Sequence, residues 1–318
     1  YKRMASNLKQ QAVSGMVWSS LQRFGTMGVS FLANMVLARL LSPDDFGYIG
    51  MLTIFIALSG TFVDGGFGNA LIQKKQPTET DYSTVFYWNI FFSAIIYLLL
   101  YVASPYIALF YHMDLLSDIL RLEGLILIIN SFTIIQANKL RKQFKFKKLA
   151  IITLLASIIS FIVAIVMAYN GYGVWSLVVQ QLVISGFSAI LFWTLTKWRP
   201  CLVFSVQSFK ELFGFGAFMM GSTLLNTFCN NLNGLLIGRF FNAATMGYFA
   251  QAQKMESVSS TSLISVVEQV TYPILSSVQN DRNKMCDILK QLNVVILFVL
   301  MPLMLLIILL SKPIIVAL

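Results

Sequence analysis

This sequence predicts an all-α protein that crosses a membrane many times. Three observations carry the prediction. Hydrophobic residues fill 57% of the 318 positions and charged residues only 11%, against roughly 25% charged in an average soluble domain. Nine apolar stretches reach the roughly 20 residues that a helical span needs. They lie near 13–41, 46–73, 83–111, 115–138, 149–169, 172–196, 211–240, 244–275 and 288–311. Turn chemistry separates them, as in Ser42-Pro43-Asp44-Asp45, Lys75-Gln76-Pro77-Thr78, Asn170-Gly171-Tyr172-Gly173 and Arg199-Pro200. The ten-residue alternation of a membrane β-barrel is absent from the sequence. The first stretch is too long for a signal-peptide core and has no small-residue cleavage pattern after it.

The charges then orient the spans. With the N-terminus in the cytoplasm, seventeen of the 23 basic residues fall on the cytoplasmic side, including Lys74 and Lys75, the run from Lys139 to Lys148, and Lys197, Arg199 and Lys210. Arg39, Arg121, Arg239 and Lys312 fall outside, as the positive-inside rule requires. Net charge is +10. The 139–148 run has the composition of a nucleic-acid patch, but between two apolar spans it reads as a loop facing anionic headgroups, with no nucleic acid involved. Cys201, Cys229 and Cys286 are far apart and His112 is the single histidine, so no metal site and no disulfide framework is expected.

The chain repeats itself at an offset of 200. Arg39-Leu40-Leu41-Ser42 ends the first span and Gly47-Tyr48 opens the second; Arg239-Phe240-Phe241-Asn242 ends the seventh and Gly247-Tyr248 opens the eighth. Six spans separate the copies, so both have the same orientation, which makes a parallel repeat about an axis along the membrane normal. The second copy stops after three spans. The chain therefore reads as nine spans of an expected twelve, a fragment, and the residues before Met4 read as a non-native start.

Polar residues inside spans usually face a bundle interior or cavity. Span one carries Ser19, Arg23, Thr26, Ser30 and Asn34 on one helical face; span seven carries Thr223, Asn226, Asn230 and Asn233 on another. Span eight carries Lys254, Ser257, Thr261, Ser265 and Glu268, and span two carries Asp64. Two polar hairpins facing each other would line a hydrophilic cleft. The plainer reading is hydrogen bonding between helices, worth about 0.6 kcal/mol per contact. The cavity candidates are Arg23, Thr26, Ser30, Asn34, Asn226, Asn230, Asn233, Lys254 and Thr261. Asp64 and Glu268 are candidates for ion coupling or salt bridges. Arg23 and Asp64 are expected at similar depth, close enough to pair. Arg39 and Arg239 read as snorkelling side chains, and Gly65-Gly66-Phe67-Gly68 as a site of close packing or bending.

The segments Leu37-Ala38-Arg39-Leu40-Leu41-Ser42-Pro43-Asp44-Asp45-Phe46-Gly47, Asp64-Gly65-Gly66-Phe67-Gly68-Asn69-Ala70-Leu71-Ile72-Gln73 and Gly171-Tyr172-Gly173-Val174-Trp175-Ser176-Leu177 resemble Wzx-type exporters, over essentially the whole chain. These belong to the polysaccharide transport branch of the MOP flippase superfamily, relatives of the MATE exporters. The resemblance implies two six-helix lobes around a central cavity. Here residues 1–12 would be a cytoplasmic segment, 13–198 the first lobe, 199–210 the interlobe linker and 211–318 an incomplete second lobe. It implies flipping of undecaprenyl-pyrophosphate-linked oligosaccharides across a bacterial inner (plasma) membrane, for O-antigen, capsule or exopolysaccharide. Arg23 and Lys254 would attract the pyrophosphate, and the amides and hydroxyls would bind sugars. Proton or sodium coupling, membrane lipids as neighbours, and partnership with polysaccharide polymerase and assembly proteins follow from the same resemblance.

Other functions fit less well. A MATE-like exporter of organic cations wants unpaired carboxylates and few cations in its cavity, whereas the charges inside these spans are mixed. The sequence has no nucleotide-binding loop, no metalloprotease motif and no nucleophile elbow. His112 with Asp114 is the nearest approach to an enzyme site. No enzymatic activity and no cofactor is expected.

Overall fold

The computed structural model describes residues 2–257 except 75 and 144, with side chains from Val17 onward, and isolated positions between 290 and 309. Among the described residues the chain is helical, with no strand. The helices are α1 (Lys2–Leu40), α2 (Pro43–Asp64), α3 (Phe67–Gln73), α4 (Glu79–Tyr111), α5 (Leu115–Ser131), α6 (Ile134–Lys142), α7 (Phe146–Tyr169), α8 (Val174–Leu195) and α9 (Val206–Phe240). A tenth, α10, runs over 243–257. Five of them, α2, α4, α7, α8 and α9, are long and apolar enough to cross a membrane. The protein is an all-α polytopic membrane protein. Residues 1–248 and 249–318 form separate compact units.

The helix starts follow local chemistry. Ser42 caps α2 and Thr78 caps α4, each in a capping box with an aspartate three residues on, Asp45 and Asp81. Such boxes satisfy backbone N–H groups that the first turn leaves unpaired. Two of the apolar stretches are broken rather than continuous. The stretch 46–73 splits at Gly65 and Gly66, which take φ values of 56° and 71°; two successive left-handed residues cannot continue a right-handed helix. The stretch 115–138 splits at Phe132 and Thr133, so the basic run begins inside α6 rather than in a loop.

Proline within α4 is accommodated locally. Pro105 has no N–H for the carbonyl of Tyr101. The Ser104 hydroxyl donates to that oxygen at 2.8 Å and in turn accepts from Arg121 Nε at 2.9 Å. Such repair is required where no water reaches the backbone.

Packing relies on small residues. Ala156, Ser160, Ala164 and Ala168 form a buried stripe along α7 at four-residue spacing, where α1 and α8 pack. Lys147 Nζ of α7 sits 5.3 Å from the Trp18 ring of α1, which places the start of α1 at the end of the bundle holding the 139–148 run. We call this the basic end. Its apolar core gathers Phe67, Leu71, Tyr82, Phe86, Ile135 and Leu212, with Trp193 and Trp198 packed against it.

Candidate functional site

The α1–α2 and α9–α10 corners are built alike. Ser42 caps α2, accepting from Asp45 N–H at 3.3 Å. Asn242 caps α10, accepting from the N–H and hydroxyl of Thr245 at 2.8 and 2.7 Å. The repeat offset of 200 therefore holds at the level of hydrogen bonds. The corners also touch reciprocally. A Cβ at Gly47 would stand 2.6 Å from the carbonyl carbon of Ala243, and one at Gly247 2.7 Å from that of Pro43. Backbone meets backbone there, and only glycine leaves the room. This contact lies opposite the basic end, where Arg239 stands over the Phe110 ring and Tyr111 donates to the Met51 carbonyl at 3.3 Å.

From that contact α9 runs back along α2 to the basic end. There Gly216 meets the α2–α3 break: a Cβ at Gly66 would lie 2.9 Å from the Gly216 carbonyl carbon. Just inside this seam is a cavity of about 300 Å³, lined by Ala57, Gly60, Thr61, Asp64, Met220 and Thr223. A second cavity, of about 310 Å³, lies on the other side of Asp64 among Gly60, Leu127, Asn130, Asn138 and Arg141. Asp64 borders both.

Asp64 has identifiable partners. The backbone N–H groups of Gly66 and Gly68 bond to its carboxylate, and Arg141 acts on it by charge. Arg141 also donates to Asn138 Oδ1 at 3.4 Å. The charge beside Asp64 thus comes from α6. Arg23 lies exposed on α1, two residues from Gly25, which faces Leu154 of α7. Similar depth along two spans does not decide which helices are neighbours.

The other expected residues are spread out. Thr26 bonds back to the Gln22 and Arg23 carbonyls at 2.8 and 3.0 Å. Ser30 is exposed and Asn34 buried. Asn230 donates to Asn226 at 2.7 Å on an exposed face of α9 that also carries Asn233. Lys254 belongs to the second unit, on α10, where Ser257 bonds to its carbonyl at 2.9 Å. Thr261 and Glu268 lie outside the described residues.

Two features of the site were not foreseen. Glu123 of α5 is 2% exposed and accepts from Gln181 of α8 at 3.2 Å; a single acidic residue in an apolar helix gives no periodic signal. At the basic end Lys74 bridges Asp81 and Glu211, at 3.0 Å each, tying α4 to α9. Burial works against the Lys74 ammonium, but hydrogen bonds and charge from the two carboxylates outweigh it, holding its pKa above the ordinary lysine value. Lys142 donates to the carbonyls of Leu71 (2.9 Å), Ile72 (3.1 Å) and Lys74 at the end of α3, a favourable place for a cation, although burial pushes its pKa down. His112, set in αL conformation with φ 57°, ends α4, which gives it a structural task. Among the described residues no group of histidine, cysteine and acidic side chains is arranged to hold a metal ion.

The two corners are thus related by the 200-residue repeat, and the sequence comparisons place the chain in a family. The family described as polysaccharide biosynthesis protein matches residues 36–318. The chain belongs to that family. It is 27% identical over 272 residues to the teichuronic acid biosynthesis protein TuaB of Bacillus subtilis (strain 168), covering 85% of this chain and 56% of the relative. It is 26% identical over 268 residues to the succinoglycan biosynthesis transport protein ExoT of Rhizobium meliloti (strain 1021), covering 84% and 54%. The lipopolysaccharide biosynthesis protein WzxC of Escherichia coli (strain K12) is 24% identical over 290 residues, covering 88% and 57%. The chain thus spans about half the length of the curated relatives it matches. No solved structure matches it.

Proposed function

We propose that this family member takes part in flipping a lipid-linked oligosaccharide across a bacterial inner membrane for surface polysaccharide synthesis, by alternating access and without enzymatic chemistry. The observation that carries the reading is the reciprocal Gly47–Gly247 contact. Two like-oriented repeats that meet across a pseudo-two-fold axis are built to rock against each other, as alternating access requires. In this reading residues 13–198 are one lobe, 211–318 belong to the second, and the N-terminus faces the cytoplasm. The Gly47–Gly247 seam then closes the outer side, and the Gly66–Gly216 seam lies on the cytoplasmic side. Rocking must separate the helices at a single seam to open the path on that side.

The names of the relatives support the substrate class, since each is tied to a surface polysaccharide or its transport. The oligosaccharide would meet the amides of α9 and the polar face of α1, with Arg23 attracting the pyrophosphate. Asp64, set between two cavities, is the residue we assign to proton or sodium coupling. A polymerase and assembly proteins would receive the flipped product.

Complementation tests this. The full-length gene is expressed in a host lacking its own exporter, with the cognate glycan pathway supplied, and surface polysaccharide is measured beside inserted protein. Wild type should restore polysaccharide. Arg23→Gln and Asp64→Asn should lower export at unchanged protein level. Full-length protein that inserts normally but never restores export would sink the reading.

A further inference from the structure

A cavity at the basic end lies away from the α2–α9 path. It measures about 770 Å³ and opens between the α6–α7 turn and the extended segment after α8. Five cations line it, Lys139, Lys145, Lys148, Lys197 and Arg199, against the single carboxylate of Glu79. Helix α6 separates it from the Asp64 cavities: Gln136, Lys139 and Gln143 face one side, and Ala137, Asn138 and Arg141 the other.

Three of the five cations serve the fold. Lys139 pairs with Glu79 at 2.5 Å, and Trp198 Nε1 holds the other Glu79 oxygen at 2.6 Å. Lys148 donates to the Leu195 carbonyl at 3.2 Å. Arg199 donates to the carbonyls of Trp193 at 2.9 Å, Thr196 at 3.0 Å and Trp198 at 2.8 Å, closing the end of α8, where such donors are needed. Lys145 and Lys197 differ. Both are exposed, and neither ammonium has a hydrogen bond or ion pair among the described residues. Like charges gathered around a cavity oppose folding unless something else uses them.

The next residues in the chain indicate what uses them. The segment leaves the cavity at Cys201 and carries Leu202, Val203 and Phe204 outward, 93%, 49% and 49% exposed. It is pinned at both ends to α4, by Cys201 N–H to Ser83 Oγ at 2.9 Å and Ser205 N–H to Thr84 Oγ1 at 3.1 Å. An apolar shelf fixed beside a cationic cavity that Trp198 also lines matches the boundary between headgroups and acyl chains.

We propose that this cavity binds the phosphate-bearing headgroup of an anionic phospholipid from the adjoining leaflet. Lys145 and Lys197 supply the charge, and Leu202, Val203 and Phe204 supply the surface for its acyl chains. A free phosphate would use the lysines but leave the shelf bare. The lipid is resident at the flank of the bundle and distinct from the flipped substrate, so the site stands whether or not the flipping reading does.

The test uses the full-length protein in zwitterionic detergent, with short-chain phosphatidylglycerol titrated against short-chain phosphatidylcholine and followed by tryptophan fluorescence and native mass spectrometry. Phosphatidylglycerol should bind at least roughly tenfold more tightly. The Lys145→Gln/Lys197→Gln double variant should lose about thirtyfold in that affinity, from two interfacial cations. Lys210→Gln, a basic-end control outside the cavity, should lose nothing. Leu202→Ser should weaken phosphatidylglycerol binding and leave pyrophosphate binding unchanged. Both lysines are exposed, so the double variant should melt like wild type. Equal binding of the two lipids, or an unaffected double variant, overturns the proposal. Inorganic pyrophosphate displacing the lipid at equal concentration overturns it too, in favour of a soluble-anion site.

Discussion

Gly47 and Gly247 each rest on the backbone that begins the other's helix, Ala243 beneath one and Pro43 beneath the other. Because one seam holds both, adding a side chain to either glycine pushes apart the same pair of helices. Gly47→Val and Gly247→Val should each destabilise the full-length protein by about 1–3 kcal/mol through overpacking. The double variant should cost clearly less than the sum, since the second side chain enters a seam already opened. Thermal unfolding in detergent reads this, and strict additivity would show that the two contacts are independent.

Lys74 joins Asp81 of α4 to Glu211 of α9. The Glu211 arm is exposed and should contribute little, whereas the Asp81 arm is buried on the carboxylate side. Lys74→Met should therefore cost about 1–2 kcal/mol near neutral pH, most of it reproduced by Asp81→Asn and little by Glu211→Gln. The folded pKa of Lys74 stands above its unfolded value. Its contribution is then complete below the unfolded lysine pKa and fades as pH rises through the folded one. The gap in melting temperature between wild type and Lys74→Met should be flat from pH 7 to about 10 and close only beyond that range.

Glu123, buried on α5, accepts a hydrogen bond from Gln181 of α8, whose own side chain reaches the exposed surface of the helix. Gln181→Leu removes the donor and leaves a buried carboxyl without it, at a cost of about 1–3 kcal/mol. Replacing both by leucine should recover much of that loss, because an apolar pair leaves no group unsatisfied. A double variant less stable than Gln181→Leu alone would show that Glu123 has a further role in the fold.

His112 ends α4 in a conformation that costs a side-chain-bearing residue about 1–2 kcal/mol. Its N–H bonds to the Leu109 carbonyl at 3.1 Å, a bond that any non-proline residue can make. His112→Gly should keep the bond, relieve the strain and raise the melting temperature with export unchanged. Lost export at normal protein level would instead point to chemistry at the imidazole.

Much of this protein is legible in the order of its residues. Composition and apolar run length give a polytopic helical membrane protein, because lipid leaves the backbone no partner but itself. The 200-residue offset is legible as well, since Gly47 and Gly247 recur with the caps Ser42 and Asn242 before them. These are local facts, fixed by neighbours a few positions away. Tertiary structure decided what depends on neighbours far along the chain. It set Arg141 of α6 beside Asp64, because α3 turns back at Gly65-Gly66 and brings α6 within reach. It buried Glu123 against Gln181, and it left Lys145 and Lys197 facing a cavity while Lys139, Lys148 and Arg199 were taken up by the fold. A helical period tells which residues share a face. Which helix meets that face is settled by packing, where small side chains let backbones approach and large ones hold them apart.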